Sequence, residues 1–124
     1  MFLNPFQRSQ FRRILRQRLQ DFSGAEHLIK RRRLDGNGQP TGEPETIGAL
    51  FGVAYRKNQT SAGLVIDLPG IVATSDNTRH FAAVASDTVI PQEGDLIEID
   101  GQDVVIMRNN VPPGDILFDL MLKD

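Results

Sequence analysis

At 124 residues, with 40% hydrophobic and 24% charged side chains, the chain suits one soluble domain with its own core. The absence of cysteine excludes a disulfide framework, a thiolate zinc site and cysteine catalysis. The net charge of −2 hides a split: residues 1–33 carry nine Lys/Arg against Asp21 and Glu26, a net of +7, and the remainder carries five against fourteen, a net of −9. Such asymmetry means that the two parts meet different surfaces, that copies meet head to tail, or only that a solvated helix face precedes a solvated strand.

The first predicted element is a helix. Asn4 can cap it, Pro5 suits the first helical position, and Gln7 stands where a capping box needs it. Phe11, Ile14, Leu15, Leu19 and Phe22 follow at helical spacing as one apolar stripe, with Arg8, Arg12, Arg13 and Arg16 mostly off it, and Ser23-Gly24 marks the stop. The stripe needs a partner, either the rest of this chain or another subunit; packing beside its own body is the expectation. Residues 1–24 are thus read as a basic amphipathic helix, and residues 25–124 as a β-barrel domain.

Short strands and turns follow. Residues 27–33 predict a first strand, and residues 35–44, almost all turn formers, an exposed and mobile loop. Residues 46–55 predict a second strand, with Gly48 and Gly52 marking bends or a bulge. A polar loop over 56–63, short apolar pieces at 64–68 and 71–74, and a strand over 79–85 come next. Residues 95–99, the turn Asp100-Gly101 and residues 102–108 read as a hairpin, the strongest local signal in the chain. After Pro112-Pro113-Gly114 the chain closes with residues 115–122, where Ile116, Phe118, Leu120 and Leu122 alternate towards one face. The fold class is mainly β: a small barrel or sandwich behind one N-terminal helix.

Catalytic constellations are sought and not found. His27 and His80 have no Ser, Cys or carboxylate at a spacing that by itself makes a triad, although triads assemble in space. Glu93, Asp95, Glu98, Asp100 and Asp103 cluster around the hairpin, where a metal or an acid–base pair competes with a simpler solvated hairpin. The loop from Asp35 begins like a calcium loop, but Pro40 and Thr46 stand where glycine and glutamate are required. The expectation is no enzyme, no cofactor and no metal. The run Lys30-Arg31-Arg32-Arg33 can neutralise phosphates, yet on a strand its side chains alternate faces and no aromatics interleave to stack bases.

No apolar run reaches the roughly 20 residues of a membrane span, and the arginine-rich start lacks the apolar core of a signal peptide, so folding in the cytoplasm is expected. From residue 46 to 122 the chain carries Gly48-Ala49-Leu50-Phe51-Gly52-Val53, Ala85-Ser86-Asp87-Thr88-Val89, Gly94-Asp95-Leu96-Ile97-Glu98-Ile99, Asp100-Gly101, Val104-Val105-Ile106 and Pro112-Pro113-Gly114-Asp115. In this order the pieces resemble the head–tail attachment (joining, head-closure or stopper) proteins of tailed bacteriophages. The N-terminal helix has no counterpart in that pattern.

The resemblance implies a small barrel with long loops that order on contact. It also implies a ring of copies below the portal, monomeric when free, that closes the DNA-filled head of the virion and joins it to the tail. The implied partners are further copies, the portal or an adaptor protein, a tail-terminator or tail-tube protein, and packaged DNA through non-specific contact; no membrane is implied. The residues expected to face partners are Arg12, Arg16, Lys30, Arg31, Arg32 and Arg33 by charge, with Asn37, Gly38, Asn58 and Gln59 at the loop tips. Alternatives are a tail terminator or other tail-tube adaptor, and a nucleic-acid-binding barrel of the OB type.

Overall fold

A computed structural model of the chain describes residues 4–56, 79–111 and 115–123. Its start follows from the capping signals. Asn4 Oδ1 accepts from the Gln7 amide at 2.8 Å while Gln7 Oε1 accepts from the Asn4 amide at 3.1 Å, with Pro5 in the first turn. Two otherwise orphaned amides are satisfied, and helix α1 runs over Pro5–Gln20. Ser23, at φ 64°, takes the left-handed position that ends it, and strand β1 (Ala25–Arg31) begins one residue after Gly24.

Five strands follow: β2 (Glu45–Arg56), β3 (Arg79–Val84), β4 (Leu96–Ile99), β5 (Gln102–Asn109) and β6 (Leu117–Leu122). All neighbours are antiparallel in the order β1-β2-β3-β6-β5-β4, and β4 returns to β1 to close a barrel. Of barrel and sandwich, the barrel is therefore the form adopted. Alternation fills it: Ile29, Leu50, Phe81, Ala83, Ile97, Ile106, Phe118, Leu120 and Leu122 meet in one interior cluster. Gly52 lies opposite Ala83, and a Cβ there would collide with the carbonyl oxygen of Ala82, so only glycine lets β2 lie this close to β3. Asp100 (φ 52°) and Gly101 (φ 78°) form the predicted two-residue turn between β4 and β5, with both central residues left-handed as the type I′ hairpin demands.

A second, smaller cluster lies outside the barrel. Leu15 and Leu19 of α1 pack on Phe51 and Tyr55 of β2, Ala82 of β3 and Leu117 of β6. The helix thus covers its own body, as expected. Its orientation differs from the sequence reading, because Phe11 is 45% and Ile14 55% exposed. Leu15 and Leu19 set the covered line, and Arg8 and Arg12 lie along it, their side chains only 24% and 14% exposed, both reaching Asp87. The helix is turned so that long arginine stems, rather than Phe11 and Ile14, flank Leu15 and Leu19.

Other boundaries shift for local reasons. β1 occupies residues 25–31 rather than 27–33, since its ladder with β2 runs from Ala25↔Gly52 to Arg31↔Glu45 and Pro44, next on β2's side, has no amide to carry it on. The predicted bulge in β2 is present: Ile29 pairs with Gly48 and Lys30 with Thr46, so Ile47 is the extra residue. On β6, Phe118, Leu120 and Leu122 face the interior, whereas Ile116 precedes the strand and joins the helix-side cluster. Arg56 belongs to β2. The readings for residues 57–63, 64–68, 71–74 and 112–114 lie outside the described residues.

Candidate partner-binding surface

The arginines expected to face partners fall into three separate places. On α1, Arg12 Nη2 is 3.1 Å from Asp87 Oδ1 and donates to the Asp115 carbonyl at 2.8 Å. Arg16 reaches Glu26 at 3.5 Å, with its guanidinium 4.1 Å from the centre of the Phe51 ring. Both side chains thus tie the helix to its own barrel. The Asp87 carboxyl is held below its ordinary range, first by the Arg12 hydrogen bond and then by the charges of Arg12 and Arg8, against the opposing effect of burial.

On β1 the basic run divides by face. Lys30 Nζ lies 2.9 Å from Asp103 Oδ1 and 3.1 Å from Glu98 Oε2, which raises its pKa above the usual lysine value through those two hydrogen bonds. Arg31 forks onto Asp95, with Nε 3.1 Å from Oδ1 and Nη2 3.0 Å from Oδ2. The Asp95 side chain is only 5% exposed, and its Oδ2 also accepts from the Gln92 amide at 2.8 Å. A buried carboxylate needs this many donors. The acidic group around the hairpin is therefore not simply solvated: Asp95 holds Arg31 and the Gln92 amide, and Glu98 and Asp103 hold Lys30, while Glu93 and Asp100 remain exposed. Among the described residues, no group of three or more potential ligands is placed to hold a metal ion.

Arg32 and Arg33 differ from both groups. They follow the end of β1, are exposed, and make no ion pair among the described residues. Measured along β1, Arg32 stands roughly 20 Å from Glu26 and the helix seam, so the basic residues of the N-terminal part do not merge into one patch. Beyond Arg33 the chain closes on itself rather than forming an open loop: Leu34 bridges Pro40, and the Thr41 amide donates to the Arg33 carbonyl at 2.8 Å. Asp35 Oδ1 accepts from the amides of Asn37 and Gln39 at 2.8 and 3.0 Å, and the Gly38 amide returns to the Asp35 carbonyl. Asn37 and Gly38 form the exposed tip of this turn. Asn58 and Gln59 lie outside the described residues.

One cluster was not read from the sequence. Tyr55 of β2, His80 of β3 and Asp119 of β6 stand side by side on the outer face of the barrel, yet are 6%, 1% and 2% exposed. Asp119 Oδ1 accepts from the Tyr55 hydroxyl at 2.9 Å and lies 3.1 Å from His80 Nδ1, and Asn110 Nδ2 reaches Oδ2 at 3.4 Å. The rings of Tyr55 and His80 stack at 5.5 Å. A carboxylate in a water-poor position is thereby satisfied from adjacent strands. His80 therefore does have a carboxylate partner, 39 residues away in sequence. A signal was present: Leu117 and Met121 flank Asp119 on the face opposite Phe118 and Leu120, so that face was apolar as well. The other histidine, His27, has its Nδ1 2.8 Å from the Glu98 carbonyl and its ring edge-on to Phe81.

Several large apolar side chains remain in solvent. On α1, Phe6 is 70%, Phe11 45% and Ile14 55% exposed, and Leu34 is 61% exposed beside Arg32 and Arg33. Among the described residues no helix is long and apolar enough to cross a membrane. No protein-family model and no curated protein matches the chain.

Proposed function

We propose that this protein is a structural subunit at the head–tail joint of a tailed bacteriophage or a related particle, an adaptor without turnover. The observation that carries the reading is uncommitted surface on a committed frame. Phe6, Phe11 and Ile14 of the helix, and Arg32, Arg33 and Leu34 beyond β1, are exposed, while Arg12, Lys30 and Arg31 are paired within the chain. Exposed apolar and cationic side chains on a closed barrel suit lasting contacts with protein neighbours.

The pieces of the family resemblance support the same reading through their places in the barrel. Gly52 permits the close β2–β3 approach, Asp87 meets the helix arginine Arg12, Gly94-Asp95 bonds to Ile106 and Arg31, and Asp100-Gly101 makes the tight hairpin. An OB-type nucleic-acid surface is disfavoured, because Phe51 and Tyr55, aromatics on the outer barrel face, are covered by α1 instead of standing free to stack on bases.

The test is deletion of the gene in its phage or prophage, with the particles viewed by electron microscopy. Filled or leaking heads beside complete free tails are the expected result. Normal joined particles would remove the reading, and joined particles with tails of irregular length would move the protein to the tail-terminator position.

A further inference from the structure

The rim beyond β1 holds an open cleft of about 330 Å³. Arg32 and Arg33 line it together with Pro40, Pro44, Leu96 and Val105. We propose that this cleft binds an acidic, apolar-bearing segment of a partner protein, with Arg32 and Arg33 holding its carboxylates and the proline–leucine–valine wall taking the adjoining side chain. The inference stands on the rim's own chemistry and does not rest on the head–tail reading.

Four observations carry it. First, the two guanidiniums are the uncommitted members of the basic run: Lys30 is held by Glu98 and Asp103, and Arg31 by Asp95. The one carboxylate lining the cleft, Asp103, is already paired with Lys30, so the cleft has a net positive charge open to a ligand. Guanidinium forks match a planar carboxylate with two parallel hydrogen bonds.

Second, four of the eight lining residues, Pro40, Pro44, Leu96 and Val105, are apolar, which a bare anion does not use and an amphipathic peptide does. Leu34, 61% exposed on the other side of Arg32, extends that apolar character along the rim. Third, the strand pairing stops short of the arginines. β1 meets β4 only as far as Lys30↔Leu96, so residues 32–34 have no strand beside them on that edge among the described residues.

Fourth, the surroundings disfavour a polyanion. Glu43 and Glu45 flank Pro44, Glu93 lies by the neighbouring cleft that Arg31 and Arg32 also line, and none of the three is ion-paired among the described residues. Two free arginines inside such an acidic margin suit one or two carboxylates, whereas a nucleic-acid backbone needs a continuous cationic track.

The experiment uses the full-length, isotope-labelled protein and follows its amide resonances. The probe is an acetylated pentapeptide of alternating aspartate and leucine, run beside the same peptide with lysine for aspartate and beside a single-stranded oligonucleotide. The acidic peptide is expected to shift the amides of residues 32–34 and 41–43 in a saturable way. The double variant Arg32→Ala, Arg33→Ala, both exposed and so compatible with an unchanged fold, should weaken it by about tenfold or more, the equivalent of losing one charge-assisted hydrogen bond or more.

Equal binding by the double variant would overturn the proposal, as would equal binding of the lysine peptide. So would an oligonucleotide that shifts these amides while the acidic peptide does not, which would make the rim a nucleic-acid contact. A silent titration removes the rim site and leaves the head–tail reading untouched; normal particles after gene deletion do the reverse.

Discussion

The helix seam and the rim beyond β1 are built with the same residue type and treat it in opposite ways. At the seam, Arg12 and Arg16 are committed to Asp87, the Asp115 carbonyl, Glu26 and the face of Phe51. At the rim, Arg32 and Arg33 stand beside an apolar wall with no ion pair among the described residues. The difference teaches that a basic run in a sequence is not yet a binding surface. What decides is whether the fold delivers a carboxylate to each cation, from near in sequence, as Glu26 for Arg16, or from 75 residues away, as Asp87 for Arg12.

The contrast can be pressed hardest at the base of the seam. Asp119 holds the Tyr55 hydroxyl, and Tyr55 is part of the floor on which the helix packs. Asp119→Ala should cost roughly 3–5 kcal/mol, because it strands the partners of a buried hydrogen-bonded group, and a fall in the denaturant midpoint would measure it. If stability were unchanged, the cluster would not be a structural tie. Leu19, fully buried between helix and sheet, comes next. Leu19→Ala should remove about 2–5 kcal/mol through lost packing and a residual cavity, with faster amide exchange in α1 than in the barrel. Exchange rising equally everywhere would show that helix and barrel open as one unit.

Acid gives a smaller effect. The folded pKa of Asp87 is depressed, so its contribution is fully present above the ordinary aspartate value of about 3.9 and is lost as pH falls through that value towards the depressed one. Amide exchange in α1, compared between the parent and Asp87→Asn, should therefore diverge above about pH 4 and converge below it. Curves that stayed parallel would show that Arg12 draws no stabilisation from this carboxylate. The smallest effect belongs to the rim: Arg32→Ala with Arg33→Ala should leave stability within about 0.5 kcal/mol, as for exposed side chains without partners. A larger loss would mean that the rim arginines, like those of the seam, are committed to the fold.

Much of the frame was legible because its signals are local. The capping box at Asn4 and Gln7, the Asp100-Gly101 turn and the alternation Phe118-Leu120-Leu122 each act over a few residues, and all three are present. What the sequence hid depends on distant partners. The helix stripe was read from hydrophobicity alone, and only its Leu15 and Leu19 are buried, with Arg8 and Arg12 beside them meeting the distant Asp87. Asp119 escaped because its satisfaction comes from Tyr55 and His80, on strands whose pairing no short window reveals. The basic run was legible as charge but not as availability: Lys30 and Arg31 take partners from β4, β5 and the turn before β4, and the next two residues do not.

Rolling a sheet into a tube leaves one join that must be fastened last, and here it is narrow. β1 pairs with β2 at seven positions but with β4 at only two, Ile29↔Ile97 and Lys30↔Leu96. Two rivets reinforce so short a join: Lys30 onto Glu98 and Asp103, and Arg31 onto Asp95 where the chain enters β4. Under a pulling load or a thermal fluctuation, the tube should split along this line before any other, with β1 swinging away on β2 as its hinge. High salt and strong alkali, which weaken the Lys30 rivet, should make the split easier while leaving the apolar filling of the tube unchanged.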